Sequence, residues 1–332
     1  MKCLCCGREF SDKATAQELE AQWHTVCIRK FFGTSVLPEL ELSEETLKRI
    51  ADESTTKGFT VPGVQKKLSL HLSTGAGKPR LTLVNYPTGY ILKPQTELYE
   101  SLPEAEYLVM QMAKETGIAT VPFALIPMKG ENREKAYITK RIDRILSTGK
   151  KQQFEMLAME DFCQLEMRLT ENKYQGSYER CAKVVSRYSQ RSGLDLSELF
   201  IRVVFSFVVG NSDMHLKNFS LIETSACSGA YVLSAAYDML PVNVILPEDD
   251  EQLALTINGK KHHIRRNDFL KFAEKSDISQ DAAIKMIQKI VSMKDRYLSL
   301  CEESYLSDTL KQRFCQLIEE RTNALLPGSH YL

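Results

Sequence analysis

A nearly unbroken apolar run at residues 199–209 stops at Gly210, and the loop after it is dense in proton- and cation-binding side chains: Asn211-Ser212-Asp213-Met214-His215-Leu216-Lys217-Asn218. The run reads as a buried helix, and glycine is a natural residue to end it. Residues 219–222 then read as a short strand, 223–229 as a polar turn and 230–233 as the returning strand. If the strands pair, Asn218 and Asp238 finish at the same end of one hairpin. Two oxygen donors distant in sequence then flank a single cation that prefers hard ligands. Asp213 and Asn218 also carry a spacing used in phosphoryl transfer, where an aspartate orients or deprotonates a hydroxyl and an asparagine holds magnesium at the phosphates. The plainer alternative is a polar turn after a core helix, followed by a surface hairpin. Helix, loop, hairpin and second aspartate together favour the chemistry.

A chain of 332 residues implies two or three compact units. Lysine plus arginine and aspartate plus glutamate each number 43, so no global attraction to nucleic acid or to a membrane surface is expected. The local basic group Lys260, Lys261, Arg265 and Arg266 reads as solvated surface. The first residues carry cysteines and charges instead of an apolar signal, and the 199–209 run is too short to span a bilayer. Nine cysteines, an odd number, do not resemble a disulfide framework. A reducing cytoplasm is the expected setting.

Cys3 and Cys6 form a C-x-x-C, and His24 with Cys27 an H-x-x-C. Three thiolates and one imidazole make a closed tetrahedral zinc site, which stabilises a segment too small to own a core. Cys5 is an alternative ligand to Cys3, and the spacing leaves that choice open. Reduced cysteines without metal are the competing reading. Phe31 and Phe32 should pack this segment onto its neighbour, and a helix capped by Ser43 should follow.

The expected division is a zinc-binding segment at 1–36, a sheet lobe at 37–142 and a helical lobe at 143–332. Residues 67–72 alternate strictly, placing three leucines on one strand face. Residues 81–84, 90–93, 121–127 and 136–140 supply further strands. Lys93 ends one of them, and Glu106 sits early on a helix at 102–117. Such a pair aims a cation at nucleotide phosphates, although each alone reads equally well as a solvated strand end or a helix-start charge. Pro62, Gly63, Val64, Gln65, Lys66 and Lys67 stand where a phosphate-covering loop belongs, with Gly63 allowing close backbone approach. Beyond residue 156 helices dominate, at 159–165, 177–189, 197–209, 278–301 and 307–325. Asn258-Gly259 marks a two-residue hairpin turn within 253–260.

These residues together resemble the HipA family of bacterial toxin kinases, in particular compact stand-alone members that begin with a C-x-x-C…H-x-x-C segment. The carrying motifs are Gly63-Val64-Gln65-Lys66-Lys67, Tyr90-Ile91-Leu92-Lys93-Pro94, Lys140-Arg141-Ile142-Asp143-Arg144, Met159-Glu160-Asp161-Phe162-Cys163-Gln164, Lys173-Tyr174-Gln175-Gly176-Ser177-Tyr178, residues 210–220 and Tyr237-Asp238. The resemblance implies an α+β, two-lobed protein-kinase-like fold with an antiparallel-sheet amino-terminal lobe and a mainly helical carboxy-terminal lobe. It implies a serine/threonine protein kinase using ATP and magnesium. Asp213 is then the general base, while Asn218 and Asp238 hold metal. Lys93, residues 62–67, the hinge Lys140, Arg141 and Ile142, and the loop residues His215, Lys217 and Tyr237 contribute to ATP binding. Family members phosphorylate translation proteins, aminoacyl-tRNA synthetases among them, and sit in toxin–antitoxin systems with small protein partners. They also autophosphorylate a hydroxyl residue three positions before the loop glycine, here Thr60 where serine is usual. The alternatives are a lipid or small-molecule kinase, or a catalytically silent kinase-like binding module.

Overall fold

The structure, a computed structural model, describes residues 1–40, 67–74, 77–83, 88–128, 134–146 and 154–328. Thr60, Pro62, Gly63, Val64, Gln65, Lys66 and the helix expected after Ser43 lie outside the described residues. The chain divides into two compact units, Met1–Tyr107 with Val121–Ile142, and Leu108–Thr120 with Asp143–Leu332.

The first unit holds α1 (Ala16–Ala21), α2 (Thr25–Phe32), β1 (Glu39–Leu40), β2 (Leu68–Ser73), β3 (Arg80–Thr82), β4 (Tyr90–Lys93), the start of α3 (Leu102–Thr116), β5 (Phe123–Pro127) and β6 (Lys135–Lys140). Its strands form one sheet in the order β1-β3-β2-β4-β6-β5, antiparallel throughout except that β1 joins β3 in parallel. The leucine alternation works as a strand face must. Leu68 and Leu70 are buried, Ser69 between them is exposed, and they pair with Leu92 and Tyr90 of β4. β5 is the sheet's edge, but it is not bare. The Leu125 amide donates to the Leu4 carbonyl at 2.9 Å, and Trp23 Nε1 donates to the Leu125 carbonyl at 3.0 Å. The amino-terminal segment thereby caps an edge that would otherwise invite another strand. Phe31 and Phe32 pack on Tyr90, with ring centroids 6.0 and 5.3 Å away, as the sequence leads one to expect.

The second unit contains β7 (Arg144–Leu146), β8 (Phe154–Met156), β9 (Met159–Asp161), α4 (Phe162–Leu165), α5 (Tyr178–Tyr188), α6 (Ser192–Val208), β10 (Ser220–Glu223), β11 (Tyr231–Leu233), α7 (Val242–Ile245), α8 (Arg266–Lys275), α9 (Gln280–Ser292), α10 (Lys294–Glu302) and α11 (Asp308–Ala324). α6 is its spine. Phe200 stacks on Phe272 of α8 and Phe207 meets Phe269 edge-on, so apolar residues recur on every side of α6 because neighbours surround it. Arg202 is tolerated inside because its Nε donates to Glu198 and its Nη2 to the Ser234 carbonyl, while burial lowers its pKa. α6 ends at Val208, and just past its cap Gly210 takes a φ of +66°, a conformation that glycine adopts without steric cost.

Three local expectations are corrected. Residues 159–165 are not one helix: Met159–Asp161 is a strand pairing antiparallel with β10, and only Phe162–Leu165 is helical. The Asp161 side chain explains the break, since it accepts from the Gln164 amide and starts the helix there. Residues 278–301 form two helices, parted at Met293. Asn258-Gly259 does make a tight turn, with Ile257 and Lys260 exchanging backbone hydrogen bonds at 2.9 and 3.0 Å, but no extended strands flank it. Flanking backbone groups bond elsewhere, Asn258 to Glu179 Oε1 and Thr256 to the Gly176 carbonyl.

Candidate active site

In the loop following α6, residues 211, 212, 214–216 and 218 are buried, whereas Asp213 and Lys217 keep partial exposure. A mostly buried loop must satisfy its own polar groups. The Asn218 Nδ2 donates to the Asp213 carbonyl at 2.8 Å, and the Asn218 and His215 amides accept structure from within the loop by donating to His215 and Asp213 carbonyls. With the nitrogen end of the Asn218 amide engaged, its oxygen is the end able to ligate a cation. His215 Nε2 lies 3.9 Å from Asp213 Oδ1 within the same loop. Lys217 Nζ donates to Asp161 Oδ2 at 2.7 Å, which ties the loop to the start of α4.

The expected hairpin is present: β10 and β11 pair antiparallel, with Leu221 opposite Leu233, and Ser234 donates to the Ser220 carbonyl. Tyr237 then pins the returning chain. Its hydroxyl donates to the Lys217 carbonyl at 3.1 Å and is bonded to Ser220 Oγ at 2.5 Å. Burial pushes the Tyr237 phenol well above its usual range, so it remains a donor at neutral pH. Asp238 follows directly and adopts φ +59°, left-handed backbone that a non-glycine residue rarely keeps without a reason. The segment carrying Asp238 is thus bonded to the segment carrying Asn218. An amide oxygen and a carboxylate are the hard donor set that magnesium takes.

In the other unit, Lys93 Nζ and Glu106 Oε1 are 2.6 Å apart, with side chains only 4% and 0% exposed. The ammonium also lies 5.3 Å from the Tyr137 ring centroid. β4 delivers Lys93 opposite Tyr137 of β6, and α3 delivers Glu106. Lys140 ends β6, and the Arg141 amide donates to the Gly89 carbonyl; Lys140, Arg141 and Ile142 are half-buried. Lys67 is exposed just before β2.

Sequence reasoning gave no role to several groups that shape the loop. Tyr174 donates to Asp213 Oδ1 at 2.5 Å, and Ser212 donates to Asp249 Oδ2 at 2.5 Å. These contacts join residues far apart in the chain, and no local periodicity signals them.

At the amino terminus, one ligand atom from each of Cys3, Cys6, His24 and Cys27 lies within 4.8 Å of all the others. Tetrahedral zinc with bonds of about 2.3 Å needs donors about 3.8 Å apart, so this set fits the ion. Cys3 rather than Cys5 completes the group. The three thiols share their protons: Cys27 and Cys3 hold the Cys6 pKa far below the usual thiol range while their own are pushed up, so metal binding would displace the protons of those two.

Comparison with known proteins agrees with this architecture. Residues 59–297 match the model of the HipA-like C-terminal domain. A Haemophilus influenzae protein named "Putative kinase" is 25% identical over 288 residues, 81% of this chain and 82% of its own length. The Sinorhizobium fredii protein "Putative kinase Y4dM" is 29% identical over 246 residues, and the chain spans 57% of it. Among solved structures, HipA of Shewanella oneidensis, determined with HipB and operator DNA, superposes with TM-score 0.66 at 19% identity, covering 80% of this chain and 64% of that one. The Helicobacter pylori proinflammatory kinase CtkA gives TM-score 0.52 at 15% identity, covering 76% and 90%. The fold is therefore α+β and kinase-like, with one sheet-based and one mainly helical unit.

Proposed function

We propose a function from one premise: the chain belongs to the HipA-like C-terminal domain family, whose model covers most of its length. On that premise the protein is an ATP- and magnesium-dependent serine/threonine protein kinase of a bacterial toxin–antitoxin system. The observation that carries the reading is the bonded network joining Asp213, Asn218 and the Tyr237-Asp238 segment.

In this mechanism a serine or threonine hydroxyl of the substrate donates its proton toward Asp213 as its oxygen attacks the γ-phosphorus of ATP. The bond to the β-phosphate oxygen breaks, and ADP leaves. Lys93, aimed by Glu106, contacts the phosphate oxygens, and residues 62–67 cover them. Lys140, Arg141 and Ile142 serve as the adenine hinge. Asn218 and Asp238 would hold magnesium, which when bound neutralises charge on the phosphates. Tyr237 and Lys217 keep those two donors together, and His215 supports the base.

The protein substrate in this reading is a translation protein such as an aminoacyl-tRNA synthetase, and the partner is a small antitoxin protein. Thr60 is the proposed autophosphorylation site, where added negative charge would repel ATP phosphates. Cys3, Cys6, His24 and Cys27 would hold a structural zinc ion. The chain spans 64% of the Shewanella HipA chain, so the activity and partners of the whole relative enter only as part of this proposal.

Incubation with γ-labelled ATP and magnesium, followed by phosphopeptide mass spectrometry, tests the reading. Phosphoserine or phosphothreonine on a translation protein, and phosphate at Thr60, are expected. Label confined to lipids or small molecules would replace it with the lipid-kinase alternative, and ATP binding without transfer would replace it with the silent module.

A further inference from the structure

The motif Lys173-Tyr174-Gln175-Gly176-Ser177-Tyr178 has no part in the mechanism so far, yet its contacts fall on the loop that carries Asp213. The Leu216 amide donates to the Lys173 carbonyl at 3.2 Å, the Tyr178 hydroxyl to the Met214 carbonyl at 3.0 Å, and the Tyr174 hydroxyl to Asp213 Oδ1. Two of these bonds fix the backbone. The third fixes the carboxylate itself.

We infer that Tyr174 is the positioning residue of the base: its phenol fixes one oxygen of Asp213, which directs the carboxyl group toward the incoming hydroxyl. The inference rests on the kinase reading above and deepens it. A carboxylate is planar, so anchoring one oxygen through a fixed donor sets the direction of the other. Both Tyr174 and His215 approach the same oxygen, Oδ1. Burial first, and then the Asp213 charge, push the Tyr174 phenol far above its usual range, so it stays protonated and always donates.

Tyr174 is itself held in place. Its ring meets the His215 ring edge-on at 4.9 Å, and the Lys173 ammonium lies 5.0 Å from its centroid. Downstream, the Gly176 carbonyl accepts from the Thr256 amide and hydroxyl, which anchors the motif to the rest of the unit.

Tyr178 supplies the control, because it binds the same loop through a backbone carbonyl and does not touch the carboxylate. Tyr174→Phe and Tyr178→Phe are compared with wild type using γ-labelled ATP and lysate protein as acceptor. For Tyr174→Phe, kcat is expected to fall about tenfold, less than the roughly 10²–10⁴-fold that a general base contributes, while KM for ATP holds. A crystal structure of Tyr174→Phe, which needs no turnover, should show the Asp213 carboxylate turned from its wild-type direction with the loop backbone in place, and that of Tyr178→Phe should keep the wild-type direction. A carboxylate that keeps its direction in Tyr174→Phe, or turns equally in both variants, overturns the inference. So does phosphate found on Tyr174, which would make the phenol an acceptor. Absence of transfer by wild type would sink the kinase reading, and the direction of the carboxylate would still decide the role of Tyr174.

Discussion

Lys93 and Glu106 put opposite charges 2.6 Å apart with almost no water at either. Stripping water from two ions costs several kcal/mol, so a buried pair is weak evidence of a contribution to stability. It is better explained by a task that needs an ammonium held at a fixed point. Lys93→Met alone removes the ammonium facing the buried Glu106 carboxylate and should destabilise by about 3–5 kcal/mol in urea unfolding. The double variant Lys93→Met/Glu106→Leu should regain most of that stability and still transfer no phosphate. Recovery of transfer by the double variant would remove Lys93 from the mechanism. Asp213→Ala should lower turnover at least about 100-fold with ATP affinity kept, because the base acts on the hydroxyl. Asp238→Ala should weaken magnesium-dependent ATP binding in calorimetry; unchanged binding would contradict its role. The bond between the Asp213–Asn218 loop and the segment carrying Asp238 was legible, because two short apolar runs around a polar turn signal the hairpin that joins them. Tyr174 was not, since its bond to Asp213 closes over 39 residues and depends on tertiary packing.

At the scale of elements, the amino-terminal segment and the edge of the sheet depend on each other. The protein has one tryptophan, Trp23, next to His24 in the chain, buried against Phe31 and Phe32 and bonded to the β5 edge. Its emission therefore reports on the cysteine cluster. Protein purified without chelator should carry about one zinc per chain, and its removal should shift Trp23 emission to the red as the segment loosens. No bound zinc, or emission indifferent to chelator, would count against the metal. At the far end of α6, a side chain at Gly210 meets both a left-handed backbone and the Leu317 methyls, 3.1 Å from the Cβ position. Gly210→Ala should cost about 1–2 kcal/mol in unfolding free energy, and a neutral result would mean the turn relaxes freely. Strand faces such as Leu68-Ser69-Leu70 and the glycine stop of α6 were readable because each follows from local periodicity or a single residue's freedom. The strand Met159–Asp161 was not, because three residues carry too little periodicity and its partner β10 lies about sixty positions away. The break at Met293 likewise has no glycine or proline to announce it.

At the scale of the whole molecule, family membership and fold rest on the match over residues 59–297 and on superposition with HipA and CtkA. Fold does not fix chemistry. Under the proposed reading, an active kinase differs from a silent relative by the set Lys93, Asp213, Asn218 and Asp238, all present in this sequence. No helix among the described residues is long and apolar enough to cross a membrane. Formal charge is balanced, so substrate choice falls to local surfaces rather than to a global field. The most direct test is γ-labelled ATP with magnesium added to a cell lysate, comparing wild type with Asp213→Ala. The account predicts a discrete labelled protein with wild type and none with the variant; equal labelling by both, or none by wild type, would contradict it.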